Sequence, residues 1–225
     1  MRHEFRPHIV RQRASQAAAA AATIPVFDIE AQTLRLLAGS IRNVLDSELP
    51  RARQVEMLSR MMCRMSVAMY SDTLTSVRNR RGFLRDGEQI LANCAAQGGR
   101  AFVIYMDVDN LKAVNDAGGH AAGDALLRHA ASALQATFRS GDVIGRLGGD
   151  EFAAVAPARH ADTVRVLLGR LRRELARVNS VRDCWPVALS VGVSSFEPAE
   201  PRTLEQLLAI ADGGMYESKC ARRAG

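Results

Sequence analysis

The amino-acid sequence predicts an α+β fold, an antiparallel-containing sheet packed against helices and preceded by a helical segment. Three observations support this prediction. Short apolar runs bounded by glycine are typical of strands, and apolar residues at steps of three and four are typical of amphipathic helices. The two kinds of segment follow in the order β-α-β-β-α-β, which favours a split βαβ or ferredoxin-like core with helices on one face.

The first 71 residues contain helix signals and no strand signal. Residues 1–25 are expected to form a disordered or frayed arm. Two apolar stripes follow, separated by Pro50: Leu34, Leu37, Ile41 and Val44, and then Val55, Leu58, Met62, Met65 and Met69. The stripes fit either a helical hairpin that packs on itself or a dimer seam of the coiled-coil type.

From Asp72 onwards, strand and helix signals alternate. They are a helix from Asn79 to Cys94, a strand from Ala101 to Met106, a polar segment from Asp107 to Asp124, a helix from about Ala122 to Phe138, a hairpin at Gly148 and Gly149, a helix from about Ala161 to Val178, a strand from about Val187 to Val193, and a helix from about Leu204 to Ala221. The wholly apolar first strand fits burial on both faces. The paired glycines predict a two-residue hairpin loop, because glycine adopts positive φ without a Cβ clash.

Composition narrows the possible functions. No apolar run reaches membrane-spanning length, so we expect a soluble protein without a membrane span. The four cysteines are too widely spaced for a zinc site or a disulfide framework, which fits a cytoplasmic location. The net charge of +6 suits an anionic ligand better than a nucleic-acid polymer. Neither a GxGxxG nor a GxxxxGK[ST] motif is present, which argues against Rossmann and P-loop nucleotide sites.

Two pairs of acidic residues are candidates for a metal site. Asp107 and Asp109 follow the first strand and point to the same side, and Asp150 and Glu151 follow the hairpin glycines. In the split βαβ order the first strand and the hairpin are neighbours, so Asp107 and Asp150 can meet. Two carboxylates with retained waters suit Mg²⁺ when a substrate phosphate completes its coordination. Taken alone, the hairpin carboxylates equally fit solvated turn charges.

Lysine is rare in this chain and stands in two particular places. Of thirty basic residues only Lys112 and Lys219 are lysine. A compact ammonium group binds as a point charge, whereas the guanidinium of arginine is a planar fork. The two lysines therefore mark positions where a compact positive charge is needed.

Five motifs occur in order between residues 72 and 223. They are Asp72-x-Leu74-Thr75 with Asn79-Arg80-Arg81, Asp107-x-Asp109-x-x-Lys112-x-x-Asn115-Asp116, Gly119-His120-x-x-Gly123-Asp124, Arg146-x-Gly148-Gly149-Asp150-Glu151-Phe152, and Ala211-Asp212-x-x-Met215-Tyr216-x-x-Lys219. In order and spacing they resemble the GGDEF family of diguanylate cyclases. That family has a fold similar to the palm of polymerases and of class III nucleotide cyclases.

The resemblance implies an enzyme that condenses two GTP into cyclic di-GMP and two pyrophosphates with Mg²⁺ (or Mn²⁺). Each 3′-hydroxyl attacks the other nucleotide's α-phosphorus, so two domains must face each other in a homodimer. Residues 72–225 are then the cyclase domain. Residues 26–71 are a regulatory or dimerisation segment where a signal or partner protein can bind.

The resemblance also implies a role for each matched residue. The metal would be held by Asp107, the Val108 carbonyl, Asp150 and Glu151, although Glu151 is alternatively a general base. The triphosphate would be bound by Lys112, Lys219 and Arg223, and guanine by Asn115 and Asp124. The nucleotide would approach the backbone at Gly148 and Gly149. Catalysis would rest on Glu151, Asp150, Lys112 and Lys219. Asn110-Leu111 and Gly118 stand where the family commonly has aromatic residues, which affects the packing around the guanine pocket.

One further motif concerns the product. Arg139 and Asp142 match the family's RxxD inhibitory site, where cyclic di-GMP would bind and inhibit. A second arginine, among Arg170, Arg172 and Arg173, could complete the pocket, but these three equally fit a solvated helix face. The same site allows an alternative function, a non-catalytic receptor for cyclic di-GMP. The intact metal and triphosphate residues argue against that alternative.

Overall fold

The structure, a computed structural model, describes residues 26–158, 160, 162–180 and 184–224. The arm expected at residues 1–25 lies outside the described residues. Within them the order of the predicted strands and helices is confirmed. The elements are α1 (Val26–Leu45), α2 (Arg51–Tyr70), β1 (Arg78–Asn79), α3 (Arg80–Ala96), β2 (Arg100–Val108), α4 (Leu111–Thr137), β3 (Val143–Arg146), β4 (Glu151–Ala158), α5 (Thr163–Asn179), β5 (Leu189–Phe196) and α6 (Leu204–Ala224).

The five strands form one sheet in the order β1-β3-β4-β2-β5. Strand β2 lies between β4 and β5 and is antiparallel to both, and β3 is antiparallel to β4. The segment from β2 to β5 therefore has the predicted β-α-β-β-α-β order. Strand β1 pairs in parallel with β3 at the edge of the sheet. It was not predicted, because two residues are too few to show an alternating pattern.

Helices cover both faces of the sheet, so the expectation of helices on one face is wrong. Successive residues of β2 alternate between two hydrophobic clusters. Ile104 and Met106 belong to the cluster with α4 and α5, and Val103 and Tyr105 to the cluster with α3 and α6. The two helices that connect the core strands do share one face, as in ferredoxin-like folds. Helices α3 and α6 cover the other, because a wholly apolar strand must be buried on both sides.

Helix α4 corrects the predicted polar segment. The helix begins at Leu111 and continues to Thr137, with a kink at Gly119, whose φ of 76° and ψ of 172° are not helical. Lys112 and Asp116 are exposed, so this first half of the helix is polar without being irregular. Glycine is needed at the kink because other residues rarely adopt positive φ.

The chain divides into two compact units, Met1–Met62 and Cys63–Gly225. In the first unit the Gln54 side-chain amide donates hydrogen bonds to the carbonyls of Leu45 and Ser47. These bonds join the start of α2 to the end of α1. The two helices nevertheless leave large apolar side chains exposed, namely Leu36, Leu45, Val55, Met57 and Met62. The predicted dimer seam stays a prediction.

None of the helices in the described ranges combines the length and the hydropathy needed to cross a bilayer.

Candidate active site

The end of β2 and the turn between β3 and β4 lie side by side. The register of the antiparallel pair places Asp107 opposite Glu151. Just beyond, the Val108 N–H donates a hydrogen bond of 2.9 Å to the Asp150 carbonyl. The structure therefore brings the predicted metal-binding residues together at one end of the sheet.

Asp107 is a buried carboxylate with an ammonium partner. It is 9% exposed, and Lys219 from α6 lies with its Nζ 2.5 Å from the Asp107 Oδ1. Burial raises the pKa of Asp107, the charges of Asp150 and Asp109 raise it further, and the hydrogen bond from Lys219 opposes both. Neighbouring negative charges are thus concentrated at this end of the sheet, with the lysine as a counter-charge.

Asp109 faces β5. Its Oδ1 accepts a hydrogen bond of 2.6 Å from the Ser190 hydroxyl, and its N–H donates to the Ala188 carbonyl at 2.9 Å. Asp109 therefore joins the end of β2 to the beginning of β5, which supports the position of Asp107 two residues earlier.

The glycines between β3 and β4 differ from the prediction. Positive φ occurs at Gly98 and Gly119 among the described glycines, and so neither Gly148 nor Gly149 needs it. The turn is longer than two residues and is closed by a hydrogen bond of 2.8 Å from the Leu147 N–H to the Glu151 carbonyl. A Cβ at Gly148 would collide with the Oε2 of Glu151. Glycine is required there to make room for a carboxylate.

Tyr105 contacts Glu151 from the neighbouring strand. Burial and the neighbouring Glu151 carboxylate raise the pKa of the Tyr105 hydroxyl well above its usual range. Glu151 is thus held between the Gly148 backbone and a phenol. No role for Tyr105 was expected, because an aromatic residue in an apolar strand is typical of a core position.

Arg146 connects the turn to the segment in front of β1. Its guanidinium donates to the Gly149 carbonyl at 2.7 and 3.2 Å and to both carboxylate oxygens of Asp72 at 3.3 and 3.4 Å. Burial alone would raise the pKa of Asp72, but hydrogen bonds from Thr75 and the charge of Arg146 lower it overall. Arg146 stands inside a matched motif, yet its sequence pattern did not reveal this bridge.

The predicted guanine-binding residues lie on the two halves of α4. Asn115 precedes the kink at Gly119, and Asp124 follows it. The Asn115 side chain packs directly against Gly123, where a Cβ would lie 2.9 Å from its Cγ. Asp124 is half-exposed and 3.9 Å from Arg128. The kink therefore brings Asn115 close to the residue before Asp124.

Of the predicted triphosphate-binding residues, Lys112 is exposed in the first turn of α4 and Lys219 lies on Asp107. The side chain of Arg223 lies outside the described residues. The turn from β2 into α4 passes through Asn110, whose φ of 63° is one that asparagine tolerates.

The predicted inhibitory residues lie at a cavity of about 550 Å³ on another part of the sheet. The Asp142 Oδ2 accepts a hydrogen bond of 2.8 Å from the backbone N–H of Arg139. Arg170 lines the same cavity, and its guanidinium donates to the buried Thr137 carbonyl at 2.7 Å. Arg172 and Arg173 are exposed on α5 and do not line the cavity. The structure thus selects Arg170 among the three candidate arginines.

The sequence from residue 69 to residue 225 matches the family model described as "Diguanylate cyclase, GGDEF domain". The chain belongs to the GGDEF family. The predicted family and its fold are therefore confirmed.

Three relatives illustrate the similarity of this GGDEF domain to known proteins. The probable diguanylate cyclase DgcE of Escherichia coli is 33% identical over 165 residues, which are 71% of this chain and 15% of DgcE. The chain thus spans a small part of that relative's length. The crystal structure of the coiled coil and GGDEF domain of DgcB from Caulobacter crescentus, in complex with c-di-GMP, has a TM-score of 0.67 and 25% identity, and the match covers 76% of this chain and 91% of that one. The diguanylate cyclase SiaD of Pseudomonas aeruginosa, crystallised with its activator SiaC, has a TM-score of 0.65 and 25% identity over 94% of this chain and 79% of its own.

The donor atoms at the strand end fit a hard divalent cation. Asp107, Asp150 and the Val108 carbonyl all supply oxygen, and the ammonium of Lys219 already occupies a cation's place beside Asp107. Among the described residues, no group of three His, Cys, Asp or Glu side chains could hold a metal alone. Oxygen donors of this kind suit a hard divalent cation that takes its remaining ligands from water and substrate phosphates.

A double-mutant cycle can test the Asp72–Arg146 bridge of the GGDEF domain. Replacing both residues (Asp72→Asn and Arg146→Gln) should cost less free energy of unfolding than the two single changes together, by about 1 kcal/mol. The folded-state pKa of Asp72 lies below its usual value of 3.8. The coupling should therefore persist at neutral pH and be lost as the pH falls below that value. Urea unfolding at several pH values measures the coupling. If the free-energy costs of the two single substitutions simply add up to that of the double substitution, the bridge is refuted.

Proposed function

We propose that this chain is a diguanylate cyclase that condenses two GTP into cyclic di-GMP and releases two pyrophosphates. The observation that carries the proposal is the meeting of Asp107, Asp150 and Glu151 at one strand end, balanced by Lys219. Clustered carboxylates beside a lysine suit a metal-bound triphosphate, in which the metal and the ammonium both meet negative oxygens.

Asp107, Asp150 and the Val108 carbonyl would hold Mg²⁺ or Mn²⁺ in this reaction. When bound, the ion would stabilise the negative charge that develops on the phosphate oxygens. Lys219 would exchange its contact with Asp107 for one with the triphosphate, where Lys112 and Arg223 would join it. Lys112 also stands in the first turn of α4, where helix N–H groups and the helix dipole favour an anion.

Glu151 would act as a ligand of the metal rather than as the general base. Glu151 lies opposite Asp107 in the register of β2 and β4, at the strand end that also carries Asp150. Carboxylate oxygens in such a cluster are the donors that Mg²⁺ binds, so Glu151 is suited to holding the cation. A pH profile of the Glu151→Gln variant distinguishes the two roles.

Asn115 and Asp124 would select guanine over adenine. A carboxylate can accept hydrogen bonds from both the N1–H and the 2-amino group of guanine, and adenine offers neither. An adenine nucleotide would therefore leave a polar group unpaired, at a cost of about 1 to 3 kcal/mol. The contact of Asn115 with Gly123, the neighbour of Asp124, supports this pairing across the kink.

The reaction would require two copies of the domain, because each 3′-hydroxyl must reach the other nucleotide in line. Val55, Met62 and Met69 recur every seven residues on α2 and are all exposed, with Leu58 and Met65 between them. This spacing is that of the a and d positions of a coiled coil. The similar DgcB structure includes a coiled coil, and SiaD binds an activator. Both similarities support a dimerisation segment at residues 26–71, to which a signal or partner protein could bind.

The cavity at Arg139, Asp142 and Arg170 would bind cyclic di-GMP as a feedback inhibitor. Two guanidinium groups can bind guanine O6 and N7 or a phosphate, and Asp142 can bind the Watson–Crick edge of guanine. The site lies away from the strand end that would bind GTP, so product could bind while substrate is present.

Synthesis of cyclic di-GMP tests the proposed activity. The purified full chain with GTP and Mg²⁺ should form it, resolved by chromatography, and Asp150→Ala should form none, because a metal-binding carboxylate is lost. Glu205→Ala, which removes an exposed carboxylate on α6, is the matched control and should keep activity. If neither the wild type nor the control forms product while labelled cyclic di-GMP still binds, the chain is a receptor and not a cyclase.

Feedback inhibition can be tested with two arginines of the same helix. Arg170→Ala should weaken cyclic di-GMP binding about tenfold or more, because it removes a charged hydrogen-bond donor from the cavity. Product should then accumulate beyond the wild-type plateau. Arg172→Ala, outside the cavity, should follow the wild type in calorimetry and in progress curves. Equal affinities of all three proteins for cyclic di-GMP would refute the inhibitory site.

The dimer seam can be tested with two methionines of α2. Met62→Glu should weaken dimerisation by about tenfold or more, since it places a charge in a desolvated seam. Specific activity should fall as that variant is diluted. Met57→Glu alters another exposed methionine, 45% accessible against 69% for Met62, that lies outside the a and d positions, and it should behave like wild type. Sedimentation measures the assembly, and a Met62→Glu variant with unchanged dimerisation and activity would contradict the seam.

A further inference from the structure

The single tryptophan of the chain lies against the kink of α4. Trp185 is in the segment ahead of β5 and is 40% exposed. Its Cζ2 and Nε1 atoms each lie 3.3 Å from the position that a Cβ on Gly118 would take. The indole therefore packs on the backbone of the residue immediately before Gly119, where the helix bends.

The space around Gly118 is filled from both sides. A Cβ at Gly118 would lie 2.7 Å from the Cβ of Ala122, on the far side of the kink. A side chain at residue 118 would therefore meet the second half of α4 and the indole at once. The indole occupies the place of that missing side chain.

Trp185 is held by the backbone that follows it. The Asn179 side chain donates to the Val187 carbonyl at 2.9 Å and accepts from the Val187 N–H at 2.8 Å. Val187 is buried, and the Ala188 carbonyl accepts the hydrogen bond from the Asp109 N–H. These contacts fix the chain two and three residues after the indole, so the ring rests on a rigid support.

We propose that Trp185 is a positioning residue for nucleotide recognition, whose ring braces the α4 kink and thereby sets the separation of Asn115 and Asp124. The proposal rests on the proposed GTP-binding function of those two residues. They lie on opposite sides of Gly119, so the angle of the kink determines their distance. Glycine can adopt more backbone angles than any other residue. The conformation at Gly118 and Gly119 must therefore be restricted by side chains that pack against them.

Loss of the ring should impair recognition of guanine more than the chemical step. The strand end that carries Asp107 and Asp150 is held by sheet hydrogen bonds that do not involve Trp185. A looser kink therefore lowers affinity for substrate and transition state alike, which raises KM and leaves kcat nearly unchanged.

The test uses the full chain with GTP and Mg²⁺, and a fluorescent GTP analogue for binding. Trp185→Ala should raise the analogue's Kd and the KM for GTP about tenfold, with kcat changed less than about threefold. Trp185→Phe retains a ring and should recover most of the affinity. Ile210→Ala shortens an apolar side chain of similar exposure on α6 and should match the wild type.

A second measurement does not require a variant. Because Trp185 is the only tryptophan, binding of an unlabelled GTP analogue to the wild type should shift its emission. Unchanged emission on binding, or a Trp185→Ala variant that folds and keeps the wild-type Kd and KM, would overturn the proposal. So would a loss of kcat at unchanged KM. If the wild type neither binds nor converts GTP, the proposed function itself has failed.

Discussion

The contact between Lys219 and Asp107 is the interaction on which the site depends. A buried carboxylate with negative neighbours is costly unless an opposite charge lies beside it. The lysine reaches Asp107 because α6 packs directly on β5: a Cβ at Gly192 would collide with the backbone of Ala211 and Met215. Met215 is one helical turn before Lys219, so this close approach determines where the ammonium lies. Without Lys219, these carboxylates would need a cation from solvent to balance their charge. A metal-dependent nucleotide site uses this need for a cation.

A second set of contacts links the end of α2 to the turn that carries Asp150. The Asn79 amide donates to the Met69 carbonyl at 3.0 Å, and the Tyr70 ring lies 3.8 Å from the guanidinium of Arg85. The Asp72 carboxylate accepts a hydrogen bond from the Arg146 guanidinium, which also donates to the Gly149 carbonyl. Each of these contacts lies within the second compact unit. Together they anchor the last residues of α2 and the turn that carries Asp150 within that unit.

The sequence was sufficient to predict the features that depend on local pattern. The wholly apolar β2, the element order and the placement of Asp107 near Asp150 all followed from periodicity and topology, and the motifs identified the family. Other features depend on contacts between residues far apart in the chain. Gly148 is required by the Glu151 side chain and not by its own φ, and Tyr105 lies beside Glu151 of the adjacent strand. Arg170 could not be separated from Arg172 and Arg173 by sequence, because only the packing of α5 shows which one faces the cavity.

A crystal structure of the full chain with Mg²⁺ and a non-hydrolysable GTP analogue would show directly whether the strand end binds a metal and a triphosphate. We expect the Lys219 Nζ to move from Asp107 to the triphosphate and the ion to bind Asp107 and Asp150. We also expect the guanine to lie between Asn115 and Asp124. A nucleotide bound elsewhere, or a Lys219 that stays paired with Asp107 while the analogue occupies the site, would contradict these expectations.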